Sequence, residues 1–241
     1  MAQEPNEAAS AEGGATKGSS SEVPGRILVV CHANVCRSVL IAGVIRSELA
    51  RTAWADVQVV SAGTGAQAGM RGCEEASEIL ADRYGVHSGP HRSQAATLSR
   101  ITVADLVLTA ERAQRAAVVA SSPLASSKAF TLREAEALLG TLDADAVRSS
   151  DVLQRPDRSS LVTLRALAAS RRGYARYPET QRSLWSRLVP GAAARTTPQH
   201  PMDIFDGHNA SPRRHAETLA TAEAAAVAFV RQLERLGLPV R

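Results

Sequence analysis

At 241 residues the chain is long for one small domain and short for two large ones, and with 44% hydrophobic residues it can bury a substantial core. Aromatic residues make up only 3%, which argues against base stacking on nucleic acid as its main work. The formal charge of +4 is concentrated: seven arginines stand against one acid, Glu179, between Arg165 and Arg195, a stretch read as a solvated face ahead of a polyanion or membrane contact.

Residues 1–24 hold no apolar run and are rich in Gly, Ser, Ala and Glu, so they read as a disordered tail ahead of a folded domain over 25–241. Their single basic residue, Lys17, does not make a secretion signal, and no later stretch suits a bilayer span. Three cysteines, Cys31, Cys36 and Cys73, are too few and too odd in number for a disulfide scaffold. A cytoplasmic protein with reduced thiols is expected.

Ile27–Val30 is an unbroken apolar run, β-branched at three of four positions, as suits a strand buried on both faces. After Cys31–Ser38, residues Leu40, Ile41, Val44, Ile45 and Leu49 recur at helical spacing. Val57–Val60 predicts a second strand that ends at Ser61-Ala62-Gly63-Thr64, and Glu74–Tyr84 a helix closed by Gly85. Leu106–Leu108 predicts a third strand, followed by a helix from about Glu111 to Val119. Thr131–Leu139 and Ser160–Ala169 read as helical, but residues 131–200 as a whole lack any sheet pattern and are taken as an insertion or extended excursion. Ser211–Leu236 is a long helix with Ser211 as N-cap, Pro212 in the first turn, Leu219, Ala226, Phe229, Val230 and Leu233 on one face, and Gly237 after it. The alternation predicts an α/β fold of three layers, a central parallel sheet of about four strands with helices on both faces.

The segment Val30-Cys31-His32-Ala33-Asn34-Val35-Cys36-Arg37-Ser38 carries the chemistry. A short loop between a buried strand and a helix can turn its backbone N–H groups inward as a cradle for an anion, and the helix N-terminus adds partial positive charge. An arginine at the loop's end can hold two phosphate oxygens with its planar fork. The same surroundings favour a thiolate, which under a bound phosphate is placed for in-line attack on phosphorus.

This stretch resembles the signature of low-molecular-weight protein tyrosine phosphatases, roughly V-C-x-G-N-x-C-R-S-P. Cys31, Asn34, Cys36, Arg37 and Ser38 match, while Ala33 replaces the usual glycine and Val39 the usual proline. The resemblance covers about residues 26–130 and 200–237, and the excursion is only loosely like longer actinobacterial-type members. It implies that Cys31 becomes phosphorylated and that Arg37 holds the phosphate through the transition state. The backbone of His32, Ala33, Asn34, Val35, Cys36 and Ser38 would line the phosphate, with Asn34 and Ser38 shaping the loop and stabilising the thiolate. Ser61 matches the serine that hydrogen-bonds the loop asparagine. His91 matches a family histidine and reads either as a hydrogen-bond partner of the loop backbone or as an ordinary core histidine.

Expelling an alkoxide or phenoxide requires a proton donor. In the family that donor sits in a D-x-x-D-P segment before the last helix, and Asp206, in Pro201–Asn209, falls at its position. Gly207 replaces the family proline, so a less rigid segment is expected. Asp203 is either a structural partner or the acid itself. Gln67 stands where a substrate-lining aromatic is expected, and Val35 favours phosphotyrosine over phosphoarginine, because arginine-specific relatives carry threonine there. The implied partners are a phosphotyrosine protein, a bacterial tyrosine kinase among the candidates, with inorganic phosphate as product and no nucleic acid.

Two other readings stay open: a weakly catalytic relative that binds phosphoproteins, and a thiol-linked arsenate reductase, which needs two further cysteines close together. Cys36 is either a trap for an oxidised Cys31 or a small buried hydrophobe, and Cys73 reads as the latter. No metal cluster is visible and no cofactor is called for. His87 and His91 are four apart, but Pro90 interrupts any helix that could pair them.

Overall fold

The computed structural model describes residues 24–87, 89–149, 157–174 and 200–237. The proposed tail, apart from Pro24, and residues 175–199 of the excursion lie outside them. Four strands form one parallel sheet in the order β2-β1-β3-β4: β1 (Arg26–Cys31), β2 (Gln58–Gly63), β3 (Leu106–Thr109) and β4 (Ala129–Thr131). Parallel strands need covered crossovers, and the helices supply them. On one face Ile27 and Val29 pack with α1 (Arg37–Leu49), α2 (Glu74–Tyr84), α5 (Leu132–Gly140) and α8 (Pro212–Leu236). On the other, Leu28, Val30 and Val107 meet α3 (Leu98–Val103) and α4 (Arg112–Ser121). Among the described residues the remaining α-helices are α6 (Ala144–Arg148) and α7 (Arg158–Ser170), and α7 packs on α5 with Leu161, Leu164 and Ala168 in the first core.

Three of the four strands stand where their apolar runs predict them. β2 runs on through Ser61, Ala62 and Gly63, which the sequence reads as its end. β4 is three residues long, too short to show a period. The final helix starts as read: Ser211 accepts the Arg214 N–H, and Pro212 takes the first position.

The excursion is not detached where it is described. α5 and α7 belong to the main helical layer, and two arginines expected on a solvated face are docked on the sheet instead. Arg165 donates to the Asp105 carbonyl at 2.8 Å, while Arg172 lies 4.3 Å over the Phe130 ring and donates to the Ala129 carbonyl at 2.7 Å. Among the described residues, no helix is long and apolar enough to cross a membrane.

Candidate active site

From β1 the chain crosses to β2 on one side and reaches β3 on the other, so the carboxyl end of β1 lies at a topological switch point, the crevice where α/β sheets bind ligands. Cys31 is the last residue of β1 and Arg37 the first of α1, which places residues 32–36 in that crevice.

The loop is held from its outer side. Its carbonyl groups at Cys31, His32 and Val35 accept the N–H groups of Thr64 (3.0 Å), Gly65 (2.9 Å) and Cys73 (2.8 Å), and the Asn34 carbonyl lies 2.8 Å from His91 Nε2. A loop whose carbonyls are engaged outward carries its N–H groups on the inner side. Asn34 is the one non-glycine with positive φ among the described residues, at 54°, a conformation asparagine tolerates better than most. Its Nδ2 donates to Ser38 Oγ and Ser61 Oγ, each at 3.0 Å, and its Oδ1 accepts the Gln94 N–H at 2.8 Å. Gly63 is required beneath this net, because a Cβ there would stand 2.3 Å from the His32 carbonyl oxygen and 2.7 Å from the Asn34 nitrogen. The Ser38 hydroxyl lies 3.0 Å from Cys31 Sγ and can donate to it.

Arg37 is 2% exposed and flanked by two carboxylates. Its Nη2 is 2.5 Å from Asp206 Oδ2, and its Nη1 is 3.0 Å from Glu111 Oε2 and 3.0 Å from the Ile204 carbonyl. Glu111, which sequence reading left unassigned, reaches this point as the N-cap of α4 and carries no motif of its own.

Asp206 therefore stands beside the loop despite its distance in sequence. Its segment is tied down by Ile204 N–H on the Ala110 carbonyl at 2.8 Å and by His208 N–H on Asp206 Oδ1 at 3.1 Å. Gly207 does not loosen it. The residue is buried against α8, where a Cβ would meet Thr218 Oγ1 at 2.3 Å and the Arg214 carbonyl oxygen at 2.6 Å. Asp203 points elsewhere: it accepts the Arg112 N–H at 2.8 Å and pairs with that guanidinium at 3.1 Å, covering the start of α4. Gln67 is exposed, and half-buried Phe205 precedes Asp206.

A family model described as low molecular weight phosphotyrosine protein phosphatase matches residues 26–145. The probable low molecular weight protein-tyrosine-phosphatase EpsP of Ralstonia nicotianae is 36% identical over 110 residues, 46% of this chain and 72% of that protein. The chain belongs to this family. Two solved structures share its fold. The low molecular weight protein tyrosine phosphatase of T. tengcongensis is 18% identical with a TM-score of 0.53, over 86% of this chain and 98% of that one. The YwlE arginine phosphatase of Geobacillus stearothermophilus is 20% identical with a TM-score of 0.52, over 87% and 93%. As a low molecular weight phosphotyrosine protein phosphatase the chain is a hydrolase, and the family match runs past β4 and α5.

At the back of the loop the fold gathers Cys36, Cys73, His208 and His215 at one place, so Cys73, which the sequence leaves without a partner motif, has neighbours. The hydrogen bond between the two thiols holds Cys73 below its ordinary value, with burial opposing, and pushes Cys36 up, with burial reinforcing.

Proposed function

We propose that this phosphatase hydrolyses phosphotyrosine in proteins through a phosphocysteine at Cys31. The observation that carries the reading is the joint geometry of Cys31, Arg37 and Asp206 around one anion-shaped loop. The Cys31 thiolate attacks phosphorus, the P–O bond to the phenol breaks, and Asp206 gives its proton to the departing oxygen. Water, losing its proton to Asp206, then attacks the phosphocysteine, and inorganic phosphate leaves with the thiolate restored. Arg37 and the loop N–H groups hold the phosphoryl oxygens, where charge gathers in the transition state. Ser38 donates to the sulfur, and Asn34, Ser61 and His91 fix the loop.

The apolar, β-branched Val35 favours a phenyl ester over a phosphoguanidinium, and a phosphotyrosine protein such as a bacterial tyrosine kinase is the partner that fits. Turnover of p-nitrophenyl phosphate and of phosphotyrosine, phosphoserine and phosphoarginine peptides tests this. Phosphotyrosine should be preferred, and Cys31→Ser should reduce turnover by roughly 10^5-fold or more. Phosphoarginine preference would sink the substrate reading. Binding of phosphopeptide without turnover would instead mark a phosphate-binding relative.

A further inference from the structure

The catalytic scheme makes no use of Cys73, His208 or His215, nor of the Cys36 side chain, and these four converge. Their donor atoms, two sulfurs and two ring nitrogens, all lie within 4.8 Å of one another. They arrive from four parts of the fold: the end of the phosphate loop, the residue before α2, the segment of Asp206, and the first turn of α8. Cys36, Cys73 and His215 are buried at 4%, 4% and 7% exposure, and His208 faces solvent.

The spacing fits a tetrahedral centre. With Zn–S near 2.3 Å and Zn–N near 2.0–2.1 Å, sulfur and nitrogen ligands of zinc stand about 3.6 Å apart. Here His215 Nε2 lies 3.3 Å from Cys36 Sγ and 3.5 Å from Cys73 Sγ. With Nε2 turned to both sulfurs, Nδ1 faces away, 3.5 Å from Glu75 Oε1. A carboxylate behind a ligating imidazole fixes its ring orientation and tautomer. The His208 ring stands edge-on to His215, with centroids 5.1 Å apart and planes at 76°, so two imidazoles approach from different directions. Two thiolates with two imidazoles form a donor set for zinc rather than for magnesium or calcium.

An access path is present. A groove of about 550 Å³ between α2 and α8 reaches His215 and is lined by Glu75, Glu78, Asp82 and Glu223, with Arg83 paired to Glu223, so its remaining acidic excess would draw in a cation.

We propose that Cys36, Cys73, His208 and His215 form a Cys2His2 zinc site that joins the phosphate loop, α2, the acid segment and α8. The site does not depend on the substrate reading. Binding displaces two thiol protons to solvent, one from Cys73, whose Sγ lies 3.2 Å from Glu75 Oε2, and one from Cys36. A bound ion would tether His208, two residues after Asp206, to the loop that carries Cys31. It would also hold the Cys36 sulfur away from disulfide formation with Cys31.

Cobalt(II) and then zinc titrated into the reduced, chelator-treated full chain tests this. One cobalt should bind per chain with thiolate-to-cobalt charge transfer and tetrahedral visible bands, and zinc should displace it. Zinc should protect Cys36 and Cys73 from alkylation while Cys31 stays reactive. Cys73→Ser and His215→Gln should each weaken zinc binding at least about 100-fold, and Glu75→Gln about 10-fold, whereas Cys31→Ser should keep the cobalt spectrum. If Cys73→Ser fails to fold, the cobalt spectrum of the unaltered protein and of Cys31→Ser decides. The proposal is overturned if the unaltered protein shows no thiolate-to-cobalt charge transfer. Loss of the cobalt spectrum in Cys31→Ser, with retention in Cys73→Ser, would equally overturn it.

Discussion

Residues 31–38 are largely buried, contiguous in sequence, and tied by hydrogen bonds that close on one another through Asn34, Ser38 and Ser61. Residues 203–208 stand beside them in a more exposed segment that is tied to Ala110, Arg112, Arg37 and α8. The proposed phosphate loop is held by a network closed within itself, while the proposed acid segment is held from its neighbours. Substitution of the loop-supporting Asn34 should therefore tell mainly on stability, and substitution of Asp206 mainly on rate.

After Cys31→Ser, the largest effect should come from Asp206→Asn. Loss of a general acid costs about 10²–10⁴-fold in kcat, with phenyl phosphate suffering more than p-nitrophenyl phosphate because its leaving group is more basic. An equal loss on both substrates would show that Asp206 only supports Arg37. Asn34→Ala comes next. It leaves the Gln94 N–H without its acceptor and puts alanine at a left-handed φ, so denaturant unfolding should show a loss of about 2–4 kcal/mol.

Gly207→Ala should cost about 1–3 kcal/mol by forcing a methyl group against Thr218 and the Arg214 carbonyl, and should lower kcat as Asp206 shifts. Unchanged kcat would break the contrast between the two regions. Asp203→Asn is the mildest. Its pair with Arg112 is half-exposed, so stability should fall by about 1 kcal/mol or less and turnover should hold. A fall of about 10²-fold or more would make Asp203 the acid.

What the sequence discloses follows the same division. The loop is legible because strand, cradle and helix are contiguous, and Cys31 to Arg37 is a fixed spacing in one dimension. Asp206 carries no such signal and is found through the resemblance alone; Glu111, its counterpart across Arg37, is not found at all. The strand Ala129–Thr131 has no period to read, since its pairing with β3 rather than its composition makes it a strand. Cys36, Cys73, His208 and His215 are scattered, and only the tertiary fold brings them together. The arginines at 165 and 172 look like a solvated face because their partners lie far away in sequence, at Asp105 just before β3 and on β4.

The two carboxylates on Arg37 have a bearing on how ligands come and go. A buried guanidinium with no counter-ion is costly, and Glu111, 3.0 Å from Arg37 Nη1, supplies one whether or not Asp206 carries its proton. Phosphate then enters by exchange, one anion displacing another, and its affinity is the difference between two ion pairs. That difference is smaller than either alone, so free phosphate should dissociate readily and inhibit only weakly as product.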